Sequence, residues 1–350
     1  MPHPLVPLVP NLAKNLGDLL SQIPAGRVTT YGRLAQALGD SIASRWVGHF
    51  GLHHSHDGNC HCHRVVRATG HLGLYVAGDT AAKARRLSKE GVIVEGTRPE
   101  EMRVDLNRYE FDDFQTDYPL KKLRRLQHDL AAKVRLSRRT RIPPQVAGVD
   151  VSYTPSARGS SGESSTDWAV AAYVLVDSDN GSVVWSTTVS RPAVFPYITT
   201  YLTFRELPIL LELMKKVHRA GRDCPVIMVD GTGILHPRRA GIASFLGVAA
   251  AQPTVGVIKK RLCGRVDIDD MRHLESRPVM LDEQQVGAAI RPTRGSHRPI
   301  FVSPGHRVDI DFATELARRM LFGRRLPQPL YEADRLSRSV ARNLRSRNTQ

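Results

Sequence analysis

Apolar positions along the chain recur at helical spacing in some stretches and in strand-like runs in others. Residues 12–23 read as a helix. Thr30 can cap a second helix over 31–38, with Leu34, Ala35 and Leu38 on one face and Gly39 past its end. A third short helix fits 42–50, so the pair makes a helix-turn-helix candidate. Leu123, Leu126, Leu130 and Val134 recur at helical spacing with a basic outer face. Strand-like runs follow: 145–153, with Asp150 near its end, then a hairpin of 168–176 and 183–189 around Asp179-Asn180-Gly181. From Glu206, the residues Leu207, Leu210, Leu211, Met214 and Val217 share a helical face, which places Glu206 at the helix start. Pro208 is tolerated in a first turn, and Gly221 ends the helix.

The most telling run is Val226-Ile227-Met228-Val229, which stops at Asp230 and is followed by Gly231 and Gly233. A short apolar run bounded by turn residues suits a strand buried on both faces of a mixed sheet. Its carboxyl end is where open α/β sheets place their sites. A helix over 241–251, a strand over 254–257 with Lys259 beyond it, strands around Ala288 and Ile300, and a helix over 312–322 complete the pattern. The overall reading is α/β: a small helical amino-terminal domain followed by a mixed-sheet domain. The limits are 1–115, a linker 116–120, 121–335, and a basic tail 336–350. The Ser/Gly-rich stretch 154–166 reads as a loop without a role of its own.

Composition narrows the partner. Of 350 residues, 50 are Lys or Arg and 34 are Asp or Glu, a formal charge of +16, and nucleic acid is the first polyanion to consider. Hydrophobic residues make up 41% of the chain, enough for sizeable cores. No apolar stretch is long enough to cross a membrane, and the Pro-interrupted start lacks the basic segment of a signal peptide, so no membrane partner is expected. Four cysteines, Cys60, Cys62, Cys224 and Cys263, are too few for a disulfide scaffold and favour a reducing cytoplasm.

Two constellations carry chemistry. His53, His54, His56, Cys60, His61, Cys62 and His63 crowd into one short stretch. It can bind zinc, although its spacing matches no standard finger. It can instead present Cys62 as a thiolate of lowered pKa with His63 as its base. Or it is a solvated loop. Farther on, Asp150, Glu206 and Asp230 come from two strand ends and a helix start. Their oxygen-only ligands suit Mg2+, with Mn2+ as substitute, in phosphodiester cleavage. The alternative is ordinary pairing with the chain's abundant cations.

Two resemblances sharpen these readings. Residues 22–92, through IPAGRVTTYG, SRWVG, CHRVV, TGHLGLY and KEGV, resemble the DNA-binding, active-site domain of the O6-alkylguanine-DNA alkyltransferases. The resemblance implies that Cys62 accepts the alkyl group and that His63 reaches Glu90 through water. It also implies that Tyr31 turns the target nucleotide's phosphate, Arg45 fills the space of the flipped base and Tyr75 contacts that base. The family's Pro before the cysteine is His61 here, its Asn-Pro hinge is His54-Ser55, and Cys60 is an added thiol.

Residues 120–335 resemble endonuclease V, a deoxyinosine-directed nuclease of RNase H-like fold, through AGVDVSY, FPYITTYLTFRELP, VDGTGILHPRRAGIASFLGV, PTVGVIKKRL and PIFVSPGH. This implies Asp150, Glu206 and Asp230 as metal ligands, His306 assisting them, Lys259 on a phosphate, Tyr197 in a strand-separating wedge and His236 near the nucleic-acid backbone. It implies cleavage of the second phosphodiester bond 3′ to inosine. The wedge's second Pro and Gly are Thr199 and Thr200, which predicts a looser tip. The expected partners are DNA carrying inosine and DNA carrying O6-alkylguanine, with RNA as an open alternative. The rival reading of the amino-terminal domain is a module that binds alkyl lesions and recruits the nuclease without transfer.

Overall fold

The computed structural model describes residues 9–54, 60–154 and 167–347. The Ser/Gly-rich stretch, the Pro-interrupted start and part of the His/Cys segment therefore lie largely outside the described residues. The amino-terminal part is helical. Helix α1 (Leu12–Ser21) is capped by Asn11, whose side chain accepts from the Lys14 amide, and it buries Leu12, Leu16, Leu19 and Leu20. A two-residue strand β1 (Thr29–Thr30) leads into α2 (Tyr31–Leu38). Thr30 caps α2 by accepting from the Arg33 amide at 3.2 Å. Gly39 closes it in the left-handed region, at φ 107°. A Cβ added there would lie 2.6 Å from the Lys121 nitrogen, so only glycine fits. Helix α3 (Ser44–His53) starts after a single 3₁₀ turn, two residues later than expected, and runs three residues further. Strand β2 (Val65–Val66) pairs in parallel with β1, and α4 (Thr80–Lys89) and α5 (Leu106–Tyr109) complete this part.

Helix α6 (Pro119–Ala131) leads into the mixed sheet. Its strands are β3 (Gln145–Tyr153), β4 (Trp168–Asp177), β5 (Val183–Pro192), β6 (Ile227–Asp230), β7 (Thr254–Ile258), β8 (Ser276–Leu281), β9 (Gln284–Ile290) and β10 (Ile300–His306). Their spatial order is β5-β4-β3-β6-β7-β10-β9-β8. The centre, β3-β6-β7, is parallel, and every other pairing is antiparallel. Helices α7 (Leu202–Arg219) and α8 (Ile242–Ala250) cover one face, and α9 (Ile310–Arg319) and α10 (Gln328–Arg347) cover the other. Alternate strand residues serve the two layers. Ala147, Val149, Ile227 and Val229 pack with α7 and α8, while Val146, Val226, Met228 and Val257 pack with α9 and α10.

Three expectations are corrected. Glu206 does not open its helix: α7 begins at Leu202, so Glu206 lies one turn inside and is buried. Residues 336–347 are not a tail but the body of α10. Strand β8, with Pro278 inside it, has no counterpart in the sequence reading; it is the edge strand, joined beyond β9 only by a bridge from Met280 to Arg265, and a proline can be tolerated there. The two halves also share more than a linker. One apolar cluster runs from Leu34 and Leu38 through Leu120 and Leu123 to Phe204 and Leu207. Across it the Tyr201 hydroxyl donates to Asp40 at 2.7 Å.

Candidate functional site

The register of β3 against β6 pairs Val149 with Val229, so Asp150 and Asp230 stand side by side at one edge of the parallel centre. Helix α10 brings a third carboxylate, Asp334. One oxygen of each of the three lies within 4.8 Å of the others. Ser337, one turn further along α10, donates to Asp150 Oδ2 at 2.5 Å. Lys259, just past β7, lies 3.2 Å from Asp230 and 3.6 Å from Asp334. Burial alone would lower Lys259, but the two carboxylates outweigh it and raise it. Asp150 moves the opposite way to a typical carboxylate. Burial first, then Asp230 and Asp334, push it up to about 7, against the Ser337 hydrogen bond.

Glu206 does not join the trio at that spacing. It is nonetheless buried beside it: burial, then Asp150 and Asp230, push its carboxyl far up, and Tyr153 donates to it at 3.5 Å. An all-oxygen cluster with crowded, proton-retaining carboxyls is short of positive charge, which fits a hard divalent cation. Asp334 and Ser337 escape the sequence reading. The signal that could have found them is the helical spacing of Leu330, Ala333, Ser337 and Ala341, all buried.

His306 is not at this edge. It pairs with Thr254 at the start of β7, in the row of Ile227, three residues upstream of Asp230. At the rise of a β-strand that is about 10 Å away. There its Nδ1 accepts from the Arg135 amide at 3.2 Å. His236 is buried. It is 3% exposed, burial lowers it to about 3, and its Nε2–H donates to the Thr200 carbonyl at 3.1 Å.

That contact bears on the loop expected to form the wedge. Thr200 adopts φ 69°, unfavourable for a β-branched residue. Yet its carbonyl also accepts from Gln127 at 2.8 Å and from Arg238 at 2.9 Å, and Arg238 donates to its hydroxyl. The tip is therefore pinned, not loosened, and Tyr197 stands 65% exposed above it.

The amino-terminal thiol lies in the 3₁₀ turn Cys62–Arg64. Cys62, Tyr31, Val47, Phe50 and Tyr75 line one cavity, while Arg45 lies exposed on α3. His63 Nε2 meets Glu90 directly at 2.7 Å, not through water, and its Nδ1 has no partner among the described residues. Arg64 grips the same carboxylate at 2.7–3.2 Å and the Ile23 carbonyl at 2.6 Å. Burial alone would raise Glu90, but Arg64 and His63 bring it down to about 2.

The Cys62 thiol is not isolated but forms a hydrogen-bonded pair with Cys60. Its hydrogen bond with Cys60, then burial, hold it up, while Cys60 is pulled down by Cys62 and His54. Lys83, also absent from the sequence reading, is buried on α4, hydrogen-bonded to the Val65 and Leu72 carbonyls, and lowered to about 7 by burial. Its signal is an inward lysine one turn before the buried Leu87.

Comparison with known proteins follows this division. The endonuclease V family matches residues 128–335, and the DNA-binding domain of 6-O-methylguanine DNA methyltransferase matches residues 11–92. A bifunctional methyltransferase/endonuclease of Picrophilus torridus is 32% identical over 310 residues, 89% of this chain and 90% of its own. Endonuclease V of Geotalea uraniireducens is 40% identical over 226 residues, 64% of this chain and 90% of its own. The crystal structure of the catalytic domain of human endonuclease V, at 31% identity, superposes with a TM-score of 0.59. It covers 66% of this chain and 99% of that one.

Proposed function

The chain belongs to the endonuclease V family and carries a methylguanine-methyltransferase DNA-binding domain ahead of it, and from that premise we propose which bonds it breaks and which residues do so. The coarse role is dual DNA repair, by an endonuclease joined to an alkyltransferase. The finer reading assigns residues 1–115 to alkyl transfer from O6-alkylguanine and 121–335 to cleavage of the second phosphodiester bond 3′ to deoxyinosine.

The observation that carries the nuclease reading is the trio Asp150, Asp230 and Asp334 with Lys259 beside it. These carboxylates would hold Mg2+, or Mn2+ in its place, with Glu206 behind them. Bound there, the cation supplies water activation and charge neutralisation at the phosphodiester. Ser337 keeps Asp150 turned into the site. Lys259, beside Asp230 and Asp334, would be placed to hold a substrate phosphate if a cation took over those carboxylates. Tyr197, on its pinned loop, enters the duplex beside the lesion, and the chain's excess of cations draws in the phosphate backbone.

In the amino-terminal half, Cys62 takes the alkyl group in the cavity it shares with Tyr31 and Tyr75. Arg45 occupies the vacated stack, and His63 with Glu90 supports the thiol. A second reading, in which this half holds the lesion and recruits the nuclease without transfer, is favoured by the crowding of Cys62, whose amide donates to Cys60 Sγ at 3.4 Å and whose Sγ lies 3.4 Å from His54 Nε2.

An end-labelled duplex with one deoxyinosine tests the first reading. Wild type should nick it at that position with Mg2+ and not with EDTA, and Asp230→Ala should bind without nicking. Nicking by Asp230→Ala would discard the metal assignment. Incubation with O6-methylguanine DNA separates the two amino-terminal readings. A Cys62 peptide heavier by one methylene unit means transfer; bound DNA with an unchanged peptide means recruitment.

A further inference from the structure

His54, Cys60 and Cys62 form a unit that neither reading above employs as one. The three donor atoms lie within 4.8 Å of one another, a second cluster at metal-ligand spacing, besides that of the carboxylates, among the described residues. The imidazole is set for the purpose. His54 Nδ1 lies 2.8 Å from the Phe50 carbonyl, which can only accept, so Nδ1 carries the proton. Nε2 then holds the lone pair, and it points at Cys60 Sγ at 2.9 Å and Cys62 Sγ at 3.4 Å. The ring also stacks flat on Phe50, centroids 4.5 Å apart and planes 5° from parallel, which fixes its direction. A backbone carbonyl holding one ring nitrogen while the other faces the ion is how ligating histidines are oriented.

We propose that His54, Cys60 and Cys62 are three protein ligands of a zinc ion. Thiolate with imidazole selects zinc over the hard cations that suit the carboxylate cluster. Tetrahedral zinc with Zn–S of about 2.3 Å and Zn–N of about 2.1 Å sets donor pairs roughly 3.5–3.8 Å apart. The His54–Cys62 distance already lies near that spacing, and Cys60 needs to retreat from His54 by about 0.7 Å. Cys62 is buried while Cys60 and His54 are half-buried, so the three donors sit at the edge of the core, and tetrahedral zinc would take one further ligand. His54 and Cys60, the residues that depart from the alkyltransferase pattern, are both in the ligand set. The site stands whether or not Cys62 accepts alkyl groups.

Zinc analysis of the full chain, purified reduced and without a tag, loaded with Zn2+ and dialysed, tests this. The wild type should retain one zinc per chain. Cys60→Ser and His54→Ala should each weaken its retention against a chromophoric chelator by tenfold or more, and Cys263→Ser should not. Independently of any variant, Zn2+ should slow maleimide labelling of Cys60 and Cys62 while leaving Cys263 unchanged. Co2+ in its place should give the absorption bands of a tetrahedral thiolate site. Zinc absent from the wild type with both thiols labelling freely overturns the proposal. So does zinc retained undiminished by folded Cys60→Ser and His54→Ala chains.

Discussion

At the scale of single residues, the carboxylates are unequal in what they cost the fold. Asp150 has a folded pKa of about 7, against roughly 3.9 for an unfolded chain. The folded state therefore binds the proton more tightly. The stability this contributes is present in full below about pH 4 and is lost as pH rises through 7. Asp150→Asn removes the titration. In EDTA the variant should match wild type near pH 4 and exceed it at pH 8 by on the order of 1–3 kcal/mol, a discounted figure for a shift of this size. Urea unfolding across that range checks it, and equal stability at pH 8 would refute the assigned shift. Asp150 and Asp230 are legible because each interrupts an apolar run. Asp334 is not: it stands among arginines in a stretch whose charge is more conspicuous than its period. His306 is misplaced for a different reason, since a sequence motif does not tell which end of an antiparallel strand faces the site.

At the scale of elements, the site depends on how closely α10 lies on β3. Gly148 permits this. An added Cβ there would come within 2.3 Å of the Pro329 carbonyl carbon and oxygen and 2.8 Å of the Leu330 nitrogen, all backbone at the start of α10. Gly148→Ala must lift that end of the helix, displacing Asp334 and Ser337 from Asp150. It should cost about 1–3 kcal/mol in stability, as overpacking does. It should also depress nicking by more than tenfold while labelling of Cys62 stays as in wild type. Denaturation and nicking measured together check this, and a variant that nicks normally would show that the close contact does not set the site. Most elements are readable from their period and caps, as Thr30 and Gly39 around α2 illustrate. Strand β8 is hidden by its proline. The start of α7 is hidden by Glu206, an acid that looks like a helix opening although the apolar residues Leu202 and Phe204 already belong to the helix.

At the scale of the molecule, the two halves meet through the apolar cluster that includes Leu38 and Leu120 and through the Tyr201–Asp40 hydrogen bond, with Arg238 4.0 Å from the same carboxylate. Arg238 and Gln127 also hold Thr200, so the turn after α2 in the first half touches the support of the loop that carries Tyr197. A division of labour is readable from two unrelated sets of motifs, but a shared interior is not, because neither set carries information about the other. Calorimetry should accordingly show one unfolding transition. Tyr201→Phe should lower its midpoint, with about 1 kcal/mol lost for the buried hydrogen bond. Two well-separated transitions would contradict the continuity of the core. The position of Asp334 on α10 has a further meaning in time. Among the acidic residues of the second half it is the last to be synthesised, long after Asp150, so a prematurely stopped chain contains Cys62 but lacks a complete carboxylate trio. On the proposed metal site, the capacity to cut DNA waits until α10 is made.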